Sequence, residues 1–317
     1  DDPSTRPAYV MLLGDLEQIP SLKGTVDGCL SDYRYTLLSG TDQVPDLMIG
    51  RLPARTAEET SYLLGKVLRH ERNPSLGDDA AWYPWAVGIS SSASGPAGIS
   101  DDKRLDTMRD YLTALSYTKF DRLYQTSRTN TPAEILKSLA EGRSFLSYFG
   151  HGDGVSWSST NPPFNLGHID ATANPGRLPI IMDVSCDNGN FGHAGGDCLA
   201  ERWLRVGTPD VPRGALASYS ASTSTPWDPS AILGVGTTKY LAEQHCTLLG
   251  QAALGGMLHL MKEMSVSDRK VVQTMEQYVL LGEPTLRYRT AVPRELAIEL
   301  PKPMFLGENR LSLTVRD

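Results

Sequence analysis

Leu178 to Phe191 reads LPIIMDVSCDNGNF. Its first part, Leu178 to Met182, is a short apolar run with two adjacent β-branched residues, the pattern of a strand buried on both faces. The run breaks into Ser185-Cys186-Asp187-Asn188-Gly189-Asn190, a string of turn-formers at the strand's C-terminal end. Ligands and reactive groups of open α/β sheets collect at that end. Upstream, Ser144 to Phe149 (SFLSYF) repeats the arrangement and runs into Gly150-His151-Gly152-Asp153-Gly154. Two strands therefore each deliver one reactive side chain to a tip: His151 from the first, Cys186 from the second.

The composition suits a soluble globular protein. Of 317 residues, 40% are hydrophobic and 21% charged, enough to bury one large or two modest domains. A net charge of −7 argues against nucleic acid or an anionic membrane as the main partner. No run approaches the roughly 18 apolar residues of a membrane span. The opening Asp1-Asp2-Pro3-Ser4 is no signal peptide and reads as the start of a processed or truncated product. Cys29, Cys186, Cys198 and Cys246 are too few and too scattered for a disulfide framework or a zinc site. They leave the compartment undecided.

Taken in order, Tyr9 to Leu13 (YVMLL) reads as a buried strand ending at Gly14-Asp15, and Leu47 to Gly50 as the next. Thr56-Ala57-Glu58-Glu59 is a capping box opening a helix with Leu63, Leu64, Val67 and Leu68 on one face. Trp85 to Ser90 is a further strand, followed by the small-residue loop Ser91 to Ser100. Asp101 and Asp102 then begin a helix marked by Leu105, Met108 and Leu112. Thr131-Pro132-Ala133-Glu134 opens the helix that feeds the His151 strand. Beyond Cys186 come a helix over Asp197 to Arg205, a strand over Gly214 to Tyr219 and the polar stretch Ser220 to Thr225. Two or three helices fill Ser230 to Tyr278, before a strand and turn in Val279 to Tyr288. Such alternation predicts an α/β fold with a mainly parallel, helix-covered sheet. From Val292 the helix signals stop, and Leu296 to Leu300 and Leu311 to Val315 read as the first strands of a β-sandwich.

A cysteine on one strand tip with a histidine on its neighbour is what nucleophilic catalysis requires. The thiolate attacks, and the imidazole takes the thiol proton or protonates the leaving amine. Backbone N–H groups at Gly152 and Cys186 are placed to receive an oxyanion. The competing reading of Cys186 is a small core residue. Asp183 reads as a structural acid bonded to backbone, His193 as a residue of the following loop or helix rather than a replacement base, and Cys198 and Cys246 as core residues on helical segments.

YFGHGDGVSW around His151 and MDVSCDNGNF around Cys186 resemble the paired motifs of the gingipain family of cysteine peptidases, in the caspase-like clan. The resemblance extends, in the same order, to YVMLLGDLEQIPS (Tyr9 to Ser21), DLMIGRLPARTAEE (Asp46 to Glu59) and YVLLGEPTLRYRT (Tyr278 to Thr290). It implies an N-terminal α/β subdomain over 1–84, a catalytic caspase-like α/β subdomain over 85–290 and the beginning of an immunoglobulin-like sandwich over 291–317. It also implies a secreted or cell-surface endopeptidase that acts on polypeptides without a required cofactor. A structural calcium would fall on acidic loop residues such as Asp32, Asp42 and Asp46.

Laid on the Arg-specific members, with Tyr117-Thr118-Lys119 fixing the register, the resemblance puts the arginine-binding acid on Asp101. The pocket's aromatic wall falls on Trp227, after the Ser222 to Thr225 stretch that includes Thr225. Asp101 equally suits a helix N-cap, and Asp102 could share or take its role. The likeness implies cleavage after Arg, with Lys the poorer substrate because it cannot make the bidentate contact.

Two departures are expected to matter. The family's first sheet strand and the helix after it are absent before Tyr9, so either they were trimmed away or another chain or segment supplies them; otherwise an unpaired sheet edge is left. Where the family places the acid that orients its histidine, this sequence has Ser90-Ser91-Ser92-Ala93-Ser94, so a carbonyl or hydroxyl of that loop is expected to hold His151. The alternatives are a same-family, sortase-like transpeptidase and a catalytically inactive adhesion or assembly module.

Overall fold

A computed structural model describes residues 7–294 and, as backbone alone, the strands Ala297–Glu299 and Thr314–Arg316. In chain order its main elements are β1 (Tyr9–Leu13), β2 (Met48–Leu52), α1 (Ala57–Arg72), β3 (Trp85–Ser90), α2 (Asp101–Ala114), β4 (Lys119–Tyr124), α3 (Pro132–Glu141) and β5 (Phe145–Phe149). They continue with α4 (Leu166–Asp170), β6 (Ile180–Val184), α5 (Leu199–Arg205), β7 (Ala217–Ala221), α6 (Trp227–Gln244), α7 (Leu249–Glu263), α8 (Arg269–Gln277) and β8 (Tyr278–Leu281).

The eight strands form one sheet in the order β1-β2-β8-β7-β6-β5-β3-β4. Every neighbouring pair is parallel except β7 with β8. The sheet is therefore two parallel blocks of opposite direction, and β3, β5, β6 and β7 present their C-terminal ends on one edge. Both faces are covered, as a parallel sheet requires. Phe145, Phe149, Met182, Val184 and Tyr219 pack under α2, α6, α7 and α8. Leu146, Tyr148, Ile181 and Val279 pack under α3, α4 and α5 on the other face.

Boundaries shift from the sequence expectation for identifiable reasons. The apolar run stops at Met182, yet β6 continues to Val184 because buried Asp183 finds hydrogen-bond donors for its carboxylate. β4 escapes the sequence reading altogether. As an edge strand it carries Lys119, Asp121 and Arg122, charges that suit an edge but hide the apolar period. At the other edge β1 pairs only with β2 among the described residues.

Capping corrects a second expectation. The N-cap of α2 is Ser100, whose Oγ accepts from Lys103 N at 3.3 Å. Asp101 is therefore released from capping. The two short strands Ala297–Glu299 and Thr314–Arg316 pair antiparallel. The rest of the expected sandwich segment, 295–317, lies outside the described residues.

Candidate active site

The His151 loop leaves β5 through backbone contacts that hold its peptide on both sides. Gly150 N donates to Val184 O at 3.2 Å, tying the tip of β5 to that of β6. His151 N donates to Ser159 Oγ at 2.9 Å, while Tyr148 OH and Ser158 N donate to His151 O at 2.7 and 3.0 Å. The backbone is fixed and the imidazole is exposed.

The Cys186 loop is tied just as closely. Asp187 takes a left-handed φ of 65°, a conformation Asp tolerates better than most residues, and Asn188 N reaches back to Cys186 O at 2.8 Å. Asp187 N donates to Thr223 O and Gly189 N to Ala221 O, which anchors the turn on the end of β7.

The two loops interlock at Gly152. A methyl group there would collide with the Cys186 carbonyl oxygen and lie 2.7 Å from Ser185 Oγ and 2.8 Å from Asn188 Nδ2. Only glycine lets the strand tips approach this closely. Behind the contact lies a buried strut that sequence reasoning missed. Asn188 accepts from Gly154 N at 3.1 Å and donates to Ser185 Oγ and Asp183 Oδ2 at 2.8 and 3.2 Å. Asp183 also accepts from Trp157 Nε1 at 2.8 Å and Ser185 Oγ at 2.5 Å. Its partners are thus side chains rather than the expected backbone. Burial pushes its carboxyl up to about 6, against the pull of those three donors. Trp157 closes the HGDGVSW motif and was the available signal for this strut.

Around the sulfur, Thr225 N donates to Cys186 Sγ at 3.4 Å, with Ser224 Oγ 3.7 Å away. Two residues on, Trp227 opens α6 and meets the His151 ring edge-on, centroids 4.9 Å apart at 77°. Its indole N–H donates to Asp101 Oδ1 at 3.1 Å, and Ser91 Oγ to Asp101 Oδ2 at 2.5 Å. Asp101 is 1% exposed, and burial raises its carboxyl above the usual range despite both donors. Cys186, Thr225, Trp227, His151 and Asp101 thus form one continuous patch through Thr225 and Trp227, drawn from the ends of β5, β6 and β7 and the starts of α2 and α6.

The serine loop does not orient the histidine. Ser91 bonds Asp101 and Ser90 bonds Asp102, whose other oxygen accepts from Thr126 Oγ1 at 2.5 Å. Among the described residues no hydrogen bond reaches the His151 ring, and its packing partner is Trp227. Asp102, held by these two hydroxyls, belongs to a separate cluster.

The other candidates lie apart from this patch. His193 is on the loop before α5, where its Nδ1 accepts from Gly195 N at 3.3 Å. Cys198 is buried at the head of α5. Cys246 is half-buried in the turn between α6 and α7 rather than on a helix, because α6 ends at left-handed His245. The acids suggested for calcium do not converge. Asp32 pairs with buried Arg51, Asp46 accepts from Leu38 N and Ser39 N, and Asp42 from Val44 N. Among the described residues no group of three or more His, Cys, Asp or Glu side chains is placed to hold a metal. None of their helices is long and apolar enough to cross a membrane.

The fold is that of a peptidase family. The profile of Peptidase family C25 matches residues 1–289, and the chain belongs to that family. Gingipain R2 of Porphyromonas gingivalis is 28% identical over 300 residues, covering 92% of this chain and 39% of that protein. A Lys-gingipain of the same organism is 24% identical over 249 residues, covering 76% of this chain and 13% of its own length. The chain thus spans well under half of the curated relatives it matches. Among solved structures, the Arg-specific cysteine proteinase gingipain R superposes with a TM-score of 0.87 at 25% identity, over 97% of this chain and 70% of that one. The mainly parallel, helix-flanked sheet is therefore the caspase-like fold, as expected.

Proposed function

We propose that this chain is a cysteine endopeptidase that cleaves polypeptides after arginine, with Cys186 as nucleophile and His151 as general acid–base. The observation that carries the reading is the continuous patch joining Cys186, Thr225, Trp227, His151 and Asp101. In the first step the Cys186 thiolate attacks the scissile carbonyl. The oxyanion faces the backbone N–H groups of Gly152 and Cys186, which sit where the two strand tips meet. Protonated His151 gives its proton to the leaving amine, and the acyl group stays on sulfur. Water, deprotonated by His151, then releases the acid and regenerates the thiol.

Selectivity rests on Asp101. Its oxygens carry two donors and retain lone pairs for a guanidinium. The Arg-specific relatives favour the same preference, with lysine the weaker ligand because it makes no fork contact. A secreted or cell-surface setting, and a second chain or segment paired along the edge of β1 that has no partner among the described residues, complete the reading on the family likeness.

The test is a peptidyl-arginine chloromethyl ketone with the labelled residue mapped, beside a peptide library varied only before the scissile bond. Labelling should map to Cys186 and vanish, with hydrolysis, in Cys186→Ala. The arginine preference should collapse in Asp101→Asn. Label on Cys246, or an arginine preference that survives Asp101→Asn, overturns the assignment. An acyl group passed to added amines rather than to water would make the enzyme a transpeptidase.

A further inference from the structure

We propose that Gln277, far from the reacting atoms in sequence, is a positioning residue for the Cys186 thiolate, acting through the Ser224–Thr225 peptide. The inference rests on Cys186 being the nucleophile. The Thr225 N–H that points at Sγ, 3.4 Å away, belongs to a peptide whose carbonyl is Ser224 O. That carbonyl accepts from Gln277 Nε2 at 2.9 Å. The two ends of one rigid peptide plane are thereby committed: the oxygen to Gln277, the N–H to the sulfur.

Gln277 is itself immobilised. It is the last residue of α8, fully buried, and its backbone carbonyl accepts from Ser222 N at 2.8 Å. The same Nε2 donates to Asp27 Oδ2 at 2.5 Å, so the amide cannot rotate without losing both partners. Its Oε1 is buried with no hydrogen-bond partner. An amide that leaves one buried atom unsatisfied is a poor choice for stability alone. It is a good choice for aiming a peptide, because its donor reaches Ser224 O and Asp27 at once.

A donor fixed on sulfur favours the thiolate, the form that attacks, over the thiol. Thr223 O and Thr225 Oγ1 anchor the flanking residues through Asp187 N and Ser230 Oγ, so without Gln277 the Ser224–Thr225 peptide loses the bond on its oxygen and its N–H is aimed less firmly at the sulfur. Substrate binding, which depends on Asp101 and Trp227, would be untouched.

The experiment measures iodoacetamide alkylation of Cys186 against pH, mapped by mass spectrometry, together with steady-state hydrolysis of an arginyl peptide. The Tyr278 phenol interacts with the sulfur, Asp187 follows Cys186 in the chain, His151 lies beyond Trp227 and Asp27 behind Gln277, and Gln277→Met leaves all of them in place. The alkylation profile of Gln277→Met should move about one unit to higher pH, with kcat down about tenfold near neutrality and KM unchanged. Asp27→Ala provides a second route, since Asp27 is exposed and its loss spares the core. It should move the profile the same way by a smaller amount. Loss of a nearby negative charge alone would ease thiol ionisation and move the profile downward. A folded Gln277→Met with the wild-type profile sinks the proposal. If that variant does not fold, an unmoved or downward profile in Asp27→Ala sinks it. Alkylation reads the thiol whether or not the protein cleaves peptides, so failure of the endopeptidase reading shows separately, as a reactive Cys186 without hydrolysis.

Discussion

At the scale of single residues, Trp227 does two jobs that can be separated. Its ring packs edge-on against His151, and its N–H holds Asp101. Trp227→Phe keeps an aromatic ring and deletes the donor. A hydrogen bond to a charged group contributes about 1.5–3 kcal/mol, so KM for arginyl substrates should rise roughly 10- to 100-fold while kcat changes little. Trp227→Ala also removes the imidazole's packing partner, so kcat should fall along with the rise in KM. Steady-state kinetics on one arginyl substrate checks both. Equal kcat in the two variants would show that the ring contact does not position His151.

At the scale of elements, the site depends on two strand ends approaching until only a glycine fits between them. Gly152→Ala would thrust a methyl into the Cys186 carbonyl and toward Ser185 Oγ and Asn188 Nδ2. Those groups lie on a turn pinned to β7 and to the buried Asp183–Trp157 strut, so they cannot yield cheaply. In the proposed mechanism the displaced Gly152 N–H is also one of the two oxyanion donors, and loss of one such donor costs about 10²–10³ in kcat. Gly152→Ala should therefore lose at least about 10²-fold in kcat while circular dichroism shows a folded chain. Near-wild-type turnover would remove Gly152 from the oxyanion site and show that the tips can part freely.

At the scale of the molecule, two buried acids set an unusual pH dependence. Burial, opposed by hydrogen bonds and arginines, leaves Asp183 at about 6 and Glu201 at about 7, above their usual 3.8 and 4.5. Between the unfolded and folded values the native state binds more protons, so their contribution to stability grows as pH falls. That gain begins below about 7 and is complete near 4. His70 and His259, lowered by burial, oppose it below about 6.5, and Lys66, whose ammonium burial lowers to about 7, opposes it from the ordinary lysine range down to about 7. Asp15, Asp27 and Glu141 are held below their usual values and lose stability only under about pH 4. The melting temperature should therefore rise from about pH 7 to between about 5 and 6, then fall steeply below 4. Calorimetry across that range, repeated on Asp183→Asn, checks it. The variant should show a smaller rise, and a wild type that loses stability steadily from pH 7 to 5 contradicts the account.

The sequence by itself determined the alternation of strands and helices, the two strand-end motifs and the family they resemble. Those features are local: apolar runs, capping residues and glycines state their structure within a few neighbours. His151 and Cys186 were legible because each follows its own strand directly. Asp101 and Trp227 could be nominated only by likeness, and the fold supplies their contact, 126 residues apart in the chain. The edge strand β4 stayed hidden because charges on a solvent-facing edge erase the period that betrays a buried strand. Ser100 rather than Asp101 caps α2, which frees the carboxylate, and no local pattern separates two adjacent capping residues. The Asp183–Asn188–Trp157 strut and the hold of Gln277 on the Ser224 peptide were decided by tertiary structure alone. In each, a buried polar group must find a partner, and that partner is chosen by which strand tips and helix ends the fold brings within hydrogen-bond reach.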